Sequence, residues 1–208
     1  MMKTLSKTLS GFMVLALTLV IAGCSTGKAD ISTKSVCEAY DKFGAQKLDE
    51  FDDLKRIIGS RSIEAEGGSY YTTQDEDETE FIVKNIIFHF EDIPDWDCQE
   101  CTYFIATSKE DGSMTGSYIM IMENEKDAID LFNFVSEDFS YNDNYASGSK
   151  SGVDYAVYNE EGNKLEMEGV YRQGNSVFWM KSFADETKGI KDSESIIKNL
   201  GLVSPLSK

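Results

Sequence analysis

The chain is poor in the residues that many enzymes and nucleic-acid-binding proteins depend on. Its 208 residues include one histidine, and only 20 lysines and arginines stand against 37 aspartates and glutamates. The resulting net charge is −17, and such a sequence lacks the clustered positive side chains that phosphate contacts require. We therefore expect no nucleic-acid partner. A Ser-His-Asp triad would have to use His89, and no G-x-S-x-G motif accompanies it.

Other absences narrow the function classes further. The sequence has no Gly-rich phosphate loop of the G-x-x-x-x-G-K-[ST] type and no D-x-[DN]-x-[DN]-G calcium loop. Two prolines leave no Pro-rich linker, whereas 41% hydrophobic residues exclude disorder throughout the chain. We therefore predict a folded, non-enzymatic protein without a cofactor.

The N-terminus has the features of an export signal. Lys3 and Lys7 precede an apolar run, Phe12–Ala22, which is shorter than the roughly 20 residues needed to span a bilayer. The run leads into Ile-Ala-Gly-Cys24, which resembles the bacterial lipobox. That resemblance implies cleavage before Cys24 and lipidation of its sulfur, which would anchor the protein to the outer face of the cell membrane.

This interpretation divides the chain into three parts. Residues 1–23 form a removable lipoprotein signal peptide, residues 24–34 comprise the lipidated cysteine and a flexible tether, and residues 35–208 form a single domain. Removal of two lysines raises the net negative charge to −19. So acidic a domain is repelled by anionic membrane surfaces, and we expect the lipid to hold it in place.

The sequence of the first half of the domain predicts mainly helices and few strands. A capping box at Ser35 and Glu38 opens a helical pattern that runs to about Ile58, with Gly44 as a break or kink. A short strand is predicted at 69–73. The spacing of apolar residues over 75–90 leaves helix and strand both open.

The second half gives clearer patterns. Alternation of apolar and polar residues, together with Gly-containing turns, predicts five strands, at 102–108, 117–122, 153–159, 164–172 and 176–183. Helices are predicted at 125–139, capped by Asn124, and at 194–200, capped by Ser193. The fold class is therefore α+β, with an antiparallel sheet of about five strands and helices packed mainly on one face.

Residues 101–202 resemble uncharacterised lipoproteins of Gram-positive, Firmicutes-type gut bacteria. The resemblance rests on the order of elements and on a few matching residues, which are Asp127, Ala128, Arg172, Gly174 and Asn175. It implies a lipobox followed by a small α+β domain, and it implies no activity. The segment 59–100 departs from the family pattern.

Three cysteines beyond Cys24 are the candidate chemical site. Cys98 and Cys101 form a C-x-x-C motif, and Cys37 lies near the start of the first helix. A structural disulfide would join Cys37 to one of the other two, or would close the ring between Cys98 and Cys101. Alternatives are a redox dithiol, disfavoured by the acids that flank the motif, and a zinc site completed by His89.

Acidic and aromatic side chains offer two candidate contact surfaces. Residues 49–100 contain 16 acidic and four basic side chains, a distribution more typical of a solvated face than of a cation site. Aromatic residues on the strands provide stacking surfaces for a sugar or peptide, among them Tyr70, Tyr71, Tyr103, Tyr118, Tyr155, Tyr158, Tyr171, Trp96 and Trp179. We expect a surface ligand or an envelope protein as the partner, with a thiol-redox or metal-binding role at Cys98 and Cys101 as the alternative.

Overall fold

The computed structural model describes residues 29–60, 67–88, 94, 96–107, 113–142, 144–161, 165–184 and 187–206. Cys24 and His89 therefore lie outside the described residues, as does the predicted signal peptide. Within the described ranges, no helix is both long and apolar enough to cross a membrane.

The chain folds as an α+β protein around one eight-stranded mixed sheet. In chain order, its strands are β1 (Gln46–Lys47), β2 (Ser69–Thr73), β3 (Cys98–Thr107), β4 (Met114–Met122), β5 (Ala146–Lys150), β6 (Val153–Glu161), β7 (Leu165–Gln173) and β8 (Ser176–Ala184). Across the sheet the order is β1-β2-β3-β4-β8-β7-β6-β5. Its strand pairs are antiparallel except β1 with β2.

The predicted antiparallel sheet of about five strands is wrong. The predicted short strand at 69–73, which is β2, belongs to the same sheet, and two strands that the sequence did not predict, β1 and β5, form its edges. The parallel pair arises because a helix at Phe51–Ser60 connects β1 to β2, and parallel neighbours require such a crossover. Every described residue of β5 is exposed, so this edge strand has no apolar alternation by which the sequence could reveal it.

Helices cover both faces of the sheet, and the prediction that they lie mainly on one face is also wrong. The helices are α1 (Thr33–Phe43), α2 (Phe51–Ser60), α3 (Glu76–Phe81), α4 (Glu125–Glu137) and α5 (Thr187–Asn199). Helices α1 and α5 pack on one face, which we call the α1–α5 face. The other three pack on the opposite face, which we call the α4 face.

The first predicted helix is two helices, separated by a turn at Gly44. Gly44 has a φ of 92° and ends α1, since only glycine enters this left-handed region at little cost. The N-cap of α1 is Ser32, whose hydroxyl accepts a hydrogen bond from the backbone N–H of Ser35. Ala29 and Ile31 are buried against the same face, so packing begins within the segment predicted as a tether.

Within the segment 75–90, which the sequence left open, residues 76–87 are helical. Asp75 caps α3, which continues into a π-helical turn at Ile82–Ile87. This wider turn places Ile82, Val83 and Ile86 against the sheet, and Phe88 follows at its end. Helix α4 begins at its predicted cap, Asn124, whose side chain accepts from the backbone N–H of Asp127. A 3₁₀ turn, Asp138–Tyr141, closes α4.

Candidate functional site

The α4 face contains a cavity of about 520 Å³ between the sheet, the π-helical turn and the end of α4. We call it the aromatic cavity, because eight aromatic side chains line it: Phe88, Tyr103, Tyr118, Phe134, Phe139, Tyr158, Trp179 and Phe183. Its volume lies within the range of about 300–1,000 Å³ that is typical of small-molecule sites.

The floor of the aromatic cavity is a row of rings on three adjacent strands. Tyr103, Tyr118 and Trp179 are neighbours across β3, β4 and β8. Their ring centroids are 5.2 Å apart for the two tyrosines and 5.5 Å apart for Tyr118 and Trp179. Because residues opposite each other in a sheet share a face, strand register alone brings these rings together.

Open space above the floor comes from a glycine in the next row. Gly116 lies between Ile105 and Lys181 in the register. A Cβ built at Gly116 would approach only the Tyr118 hydroxyl, at 3.5 Å, which is ordinary contact. The absence of a side chain at this position therefore leaves room that its neighbours on the sheet do not fill.

A buried carboxylate forms the polar end of the aromatic cavity. Glu168 is only 3% exposed and accepts a hydrogen bond from Trp179 Nε1 at 2.7 Å. Its other oxygen lies 2.8 Å from the Tyr158 hydroxyl and 3.1 Å from Lys181 Nζ. Three donors thus satisfy a charge that would otherwise be costly to bury.

Lys181 connects this carboxylate to a second one. Its Nζ lies 3.1 Å from an oxygen of Glu166, which is also 2.9 Å from the Tyr158 hydroxyl. Burial lowers the pKa of Lys181, but Glu168 and Glu166 outweigh that effect and raise the pKa above its ordinary value. Burial and Glu168 likewise raise the pKa of Tyr158, so its hydroxyl remains a donor.

Two tyrosine hydroxyls in the aromatic cavity have no hydrogen-bond partner in the part of the chain that the structure describes. No described residue forms a hydrogen bond with the hydroxyl of Tyr103 or of Tyr118, although Tyr103 is only 5% exposed. Burial raises the pKa of both hydroxyls, which keeps them neutral. They can therefore donate to an occupant, and neither is activated as a nucleophile.

The predicted cysteine site is split between the two faces of the sheet. All three cysteines are free thiols in the structure. Cys37 packs on the α1–α5 face, with its sulfur 3.7 Å from the Thr72 hydroxyl. Cys101 is fully buried on the α4 face, and Cys98 packs there too. The structure does not bring Cys37 together with the other two, and His89 lies outside the described residues.

A β-bulge places Cys98 and Cys101 on the same face. Cys98 is opposite Met122 and Glu100 is opposite Ile121, so Gln99 is an extra residue in β3. Residues i and i+3 of a regular strand point to opposite faces, and the extra residue reverses this. The Cys98 thiol and burial raise the pKa of Cys101, the reverse of the shift that activates a thioredoxin-type thiol.

Several of the described acidic residues in the segment 49–100 act in caps, hydrogen bonds and local ion pairs. Glu78 accepts hydrogen bonds from the hydroxyls of Tyr71 and Thr73, at 2.8 and 2.7 Å, while Asp75 caps α3. Arg56 lies 2.9 Å from Asp53. Across the described ranges, no group of three or more histidine, cysteine, aspartate or glutamate side chains is arranged to hold a metal ion.

Sequence reasoning found part of the aromatic cavity. Tyr103, Tyr118, Tyr158 and Trp179 were among the predicted stacking residues, but Glu168, Lys181 and the helix residues were missed. The sequence feature that could have indicated Glu168 and Lys181 is a charged residue in the middle of an apolar strand. Glu168 lies between Met167 and Gly169, and Lys181 follows Met180. A scan against known protein-family models finds no match to the chain, and a search of curated proteins finds none either.

Proposed function

We propose that this protein is a non-enzymatic binding module, exported and lipid-anchored through Cys24, whose ligand occupies the aromatic cavity. The export and anchoring parts of the proposal rest on the N-terminal sequence, which has a short apolar run and a lipobox-like end. The binding part rests on the cavity itself. The partner would be a small molecule at the cell surface, or a group that an envelope protein presents there.

The observation that carries the binding proposal is the aromatic cavity, where the Tyr103 hydroxyl has no hydrogen-bond partner among the described residues. Water in an open cavity can satisfy such a hydroxyl, so a ligand that displaces the water must offer a hydrogen bond of its own. Tyr103 is 5% exposed and faces a cavity that is large enough for a small molecule. A polar group on the ligand would complete the hydrogen bond that the protein leaves open.

The lining also indicates the ligand class. Ring-lined walls favour a flat or cyclic apolar body, which stacks on aromatic faces. Asp138, Glu168 and Lys181 are the charged lining residues, so the lining has a net negative charge. We therefore propose a neutral or cationic ligand, since the surrounding carboxylates would repel an anion.

The proposal of a non-enzymatic role is supported by how the described polar groups of the cavity are used. Glu168 is engaged by three donors, which leaves it poorly placed to accept a proton from a substrate. Tyr103 and Tyr118 have raised pKa values and remain neutral phenols. The cavity therefore offers recognition groups and lacks an activated acid, base or nucleophile.

The binding proposal is tested with three probes that share one ring. Benzamide, benzylamine and benzoate are neutral, cationic and anionic, and ligand-observed NMR measures their binding to the full chain in detergent. We expect benzamide and benzylamine to bind more tightly than benzoate. Gly116→Phe should fill the aromatic cavity and remove binding, whereas Gly116→Ala should retain it. Unchanged probe binding to Gly116→Phe would refute the site.

The anchoring proposal has a separate test. Cys24→Ser removes the thiol that would accept the lipid, so the protein should move from the membrane fraction to the soluble fraction of the cell envelope. Mass spectrometry of the wild-type chain should show acyl groups on an N-terminal Cys24. Continued membrane association of Cys24→Ser would contradict the anchor without affecting the binding proposal.

A second candidate function, metal binding through Cys98 and Cys101, is favoured by the bulge that brings these thiols to one face. This metal site would be independent of the aromatic cavity. The sulfur atoms near Cys98 and Cys101 determine which metal ion fits.

A further inference from the structure

The end of the sheet near the bulge gathers sulfur atoms from two strands. Cys98 lies opposite Met122 across the β3–β4 pair, and Cys101 lies opposite Met120. Directly opposite residues of an antiparallel pair have Cβ atoms about 4.5–5.5 Å apart and share a face. All four side chains belong to the core of the α4 face. Two thiols and two thioethers therefore lie side by side.

These four residues are held by backbone structure, and Cys101 and the two methionines are shielded from water, while Cys98 is partly buried. Cys101 is 0% exposed, and both methionines are 1% exposed. The backbone carbonyl of Met122 accepts a hydrogen bond from the Asn175 side chain, and its N–H donates to the Asn175 carbonyl. Sites built on paired strands hold their geometry more closely than sites on loops.

We propose that this end of the sheet binds one Cu⁺ ion through four sulfur atoms, those of Cys98, Cys101, Met120 and Met122. Thiolate and thioether sulfurs are soft ligands, and this combination selects monovalent copper. Zn²⁺ takes thiolate, imidazole and carboxylate ligands, and Ca²⁺ takes oxygen ligands, so the two thioethers favour neither. On binding, each thiol loses one proton to solvent, and the two thioethers donate lone pairs.

An access path leads to the sulfur cluster from a second cavity. Cys98 lines this cavity of about 470 Å³, together with the acidic residues Glu76, Glu80 and Asp97. A cleft lined by carboxylates raises the local concentration of cations. The buried Thr79 hydroxyl, which also lines it, has no hydrogen-bond partner among the described residues. A cation can thus reach Cys98 first and then the buried Cys101.

The site differs from the aromatic cavity and from Cys37. Trp96 packs between the two cavities, 5.7 Å from Phe88 by ring centroids. Cys37 lies on the opposite face of the sheet. The copper proposal therefore does not depend on the proposed ligand of the aromatic cavity, and either can fail alone.

The test is an anaerobic titration of the full chain with Cu⁺, using bicinchoninate as the competing ligand. The chain carries Cys24→Ser, which removes an unrelated thiol, and it is kept in detergent. We expect one tightly bound Cu⁺ per chain and a coordination shell made only of sulfur by X-ray absorption. Absence of Cu⁺ binding, a shell with nitrogen or oxygen ligands, or tighter binding of Zn²⁺ would overturn the proposal.

Matched variants locate the site. The double variant Met120→Leu, Met122→Leu conserves side-chain volume but removes both thioether ligands. It should weaken Cu⁺ binding by at least about 10-fold, because substitutions of residues that only support metal ligands already lower the affinity by that factor. The control is Met167→Leu with Met180→Leu, two fully buried methionines on the α1–α5 face, which should leave the affinity unchanged. Equal affinity of the two double variants would refute a four-sulfur site.

The thiols are tested in the same way. Cys98→Ser with Cys101→Ser should lower the affinity for Cu⁺ by more than about 100-fold, beyond the effect of outer-shell substitutions. Cys37→Ser should have no effect. If the double serine variant does not fold, the methionine pair still decides the outcome. A disulfide between Cys98 and Cys101 that resists reductant would also overturn the proposal.

Discussion

The two faces of the sheet are built from the same strands, yet two tyrosines on one face differ in hydrogen bonding from two tyrosines on the other. On the α1–α5 face, the Tyr40 hydroxyl lies 2.7 Å from the Ser117 hydroxyl, and the Tyr171 hydroxyl donates to the Val203 carbonyl at 2.6 Å. On the α4 face, the hydroxyls of Tyr103 and Tyr118 have no partner among the described residues. The first face is filled by its own side chains, and we propose that the room on the second is kept for an occupant.

Ring packing shows the same contrast. Tyr40 stacks on Phe104 with centroids 4.5 Å apart, and both rings are 0% exposed. A cavity on that face, beside Tyr171, measures only about 10 Å³, against about 520 Å³ on the α4 face. Interiors are normally close-packed, and we propose that the space of the aromatic cavity is kept for a ligand.

The largest expected difference between the faces involves two adjacent residues of β3. Phe104→Ala removes a buried ring from the filled face, and we expect it to lower the free energy of unfolding by about 3–5 kcal/mol. Tyr103→Ala enlarges an existing open cavity, where water can enter, and should cost less. Urea denaturation of both variants measures this. Equal losses would show that the two faces are packed alike.

Two glycines give a smaller and sharper comparison. A Cβ at Gly169 would lie 2.6 Å from the Tyr171 hydroxyl and 2.9 Å from its ring, on the filled face. Gly169→Ala must displace a ring that is 0% exposed and should cost about 1–3 kcal/mol. Gly116→Ala meets only one atom at 3.5 Å and should be neutral or stabilising. Thermal unfolding measures both effects. If Gly116→Ala destabilises the protein more than Gly169→Ala does, the α4 face does not have the free space described at Gly116.

At high pH the faces should behave alike, because buried tyrosines occur on both. Burial and Glu78 raise the pKa of Tyr71 to about 12 from an ordinary value of 10.0. A group whose pKa is raised on folding stabilises the protein fully below its ordinary pKa, and loses that effect as the pH rises. The free energy of unfolding should therefore fall between pH 10 and 12.

Tyr71→Phe checks this pH dependence by urea denaturation at pH 9 and pH 11. The variant should lose less stability between the two pH values than the wild type, because it has one fewer proton to release. Tyr141→Phe is the control, since that ring is 82% exposed. An equal pH dependence in wild type and Tyr71→Phe would contradict the raised pKa of Tyr71.

The sequence predicted the parts of the fold that depend on local pattern. The alternation in β6, β7 and β8, and the Asn124 cap of α4, are local properties, and the structure has these elements. The edge strands β1 and β5 were missed because one is two residues long and the other is exposed throughout. Such strands are formed by pairing with neighbours and leave no apolar pattern.

The candidate sites depend on which strands pair and in which register, and a single sequence does not determine either. Cys37 and Cys101 looked like partners in the sequence, but they lie on opposite faces of the sheet. The extra residue Gln99 brings Cys98 and Cys101 together, and no turn residue marks it. The pairing of Glu168 with Lys181 likewise follows from the β7–β8 register.

On the α4 face, the Tyr103 hydroxyl has no partner among the described residues, and we propose that a ligand supplies one. The most direct test compares Tyr103→Phe with Tyr40→Phe in the free energy of unfolding and in the affinity for benzamide. Tyr103→Phe should change stability by less than about 0.5 kcal/mol or raise it, and should weaken benzamide binding. Tyr40→Phe should cost about 1–3 kcal/mol of stability and leave benzamide binding unchanged. If Tyr103→Phe instead destabilises the protein as much as Tyr40→Phe and leaves benzamide binding unchanged, the claim is contradicted.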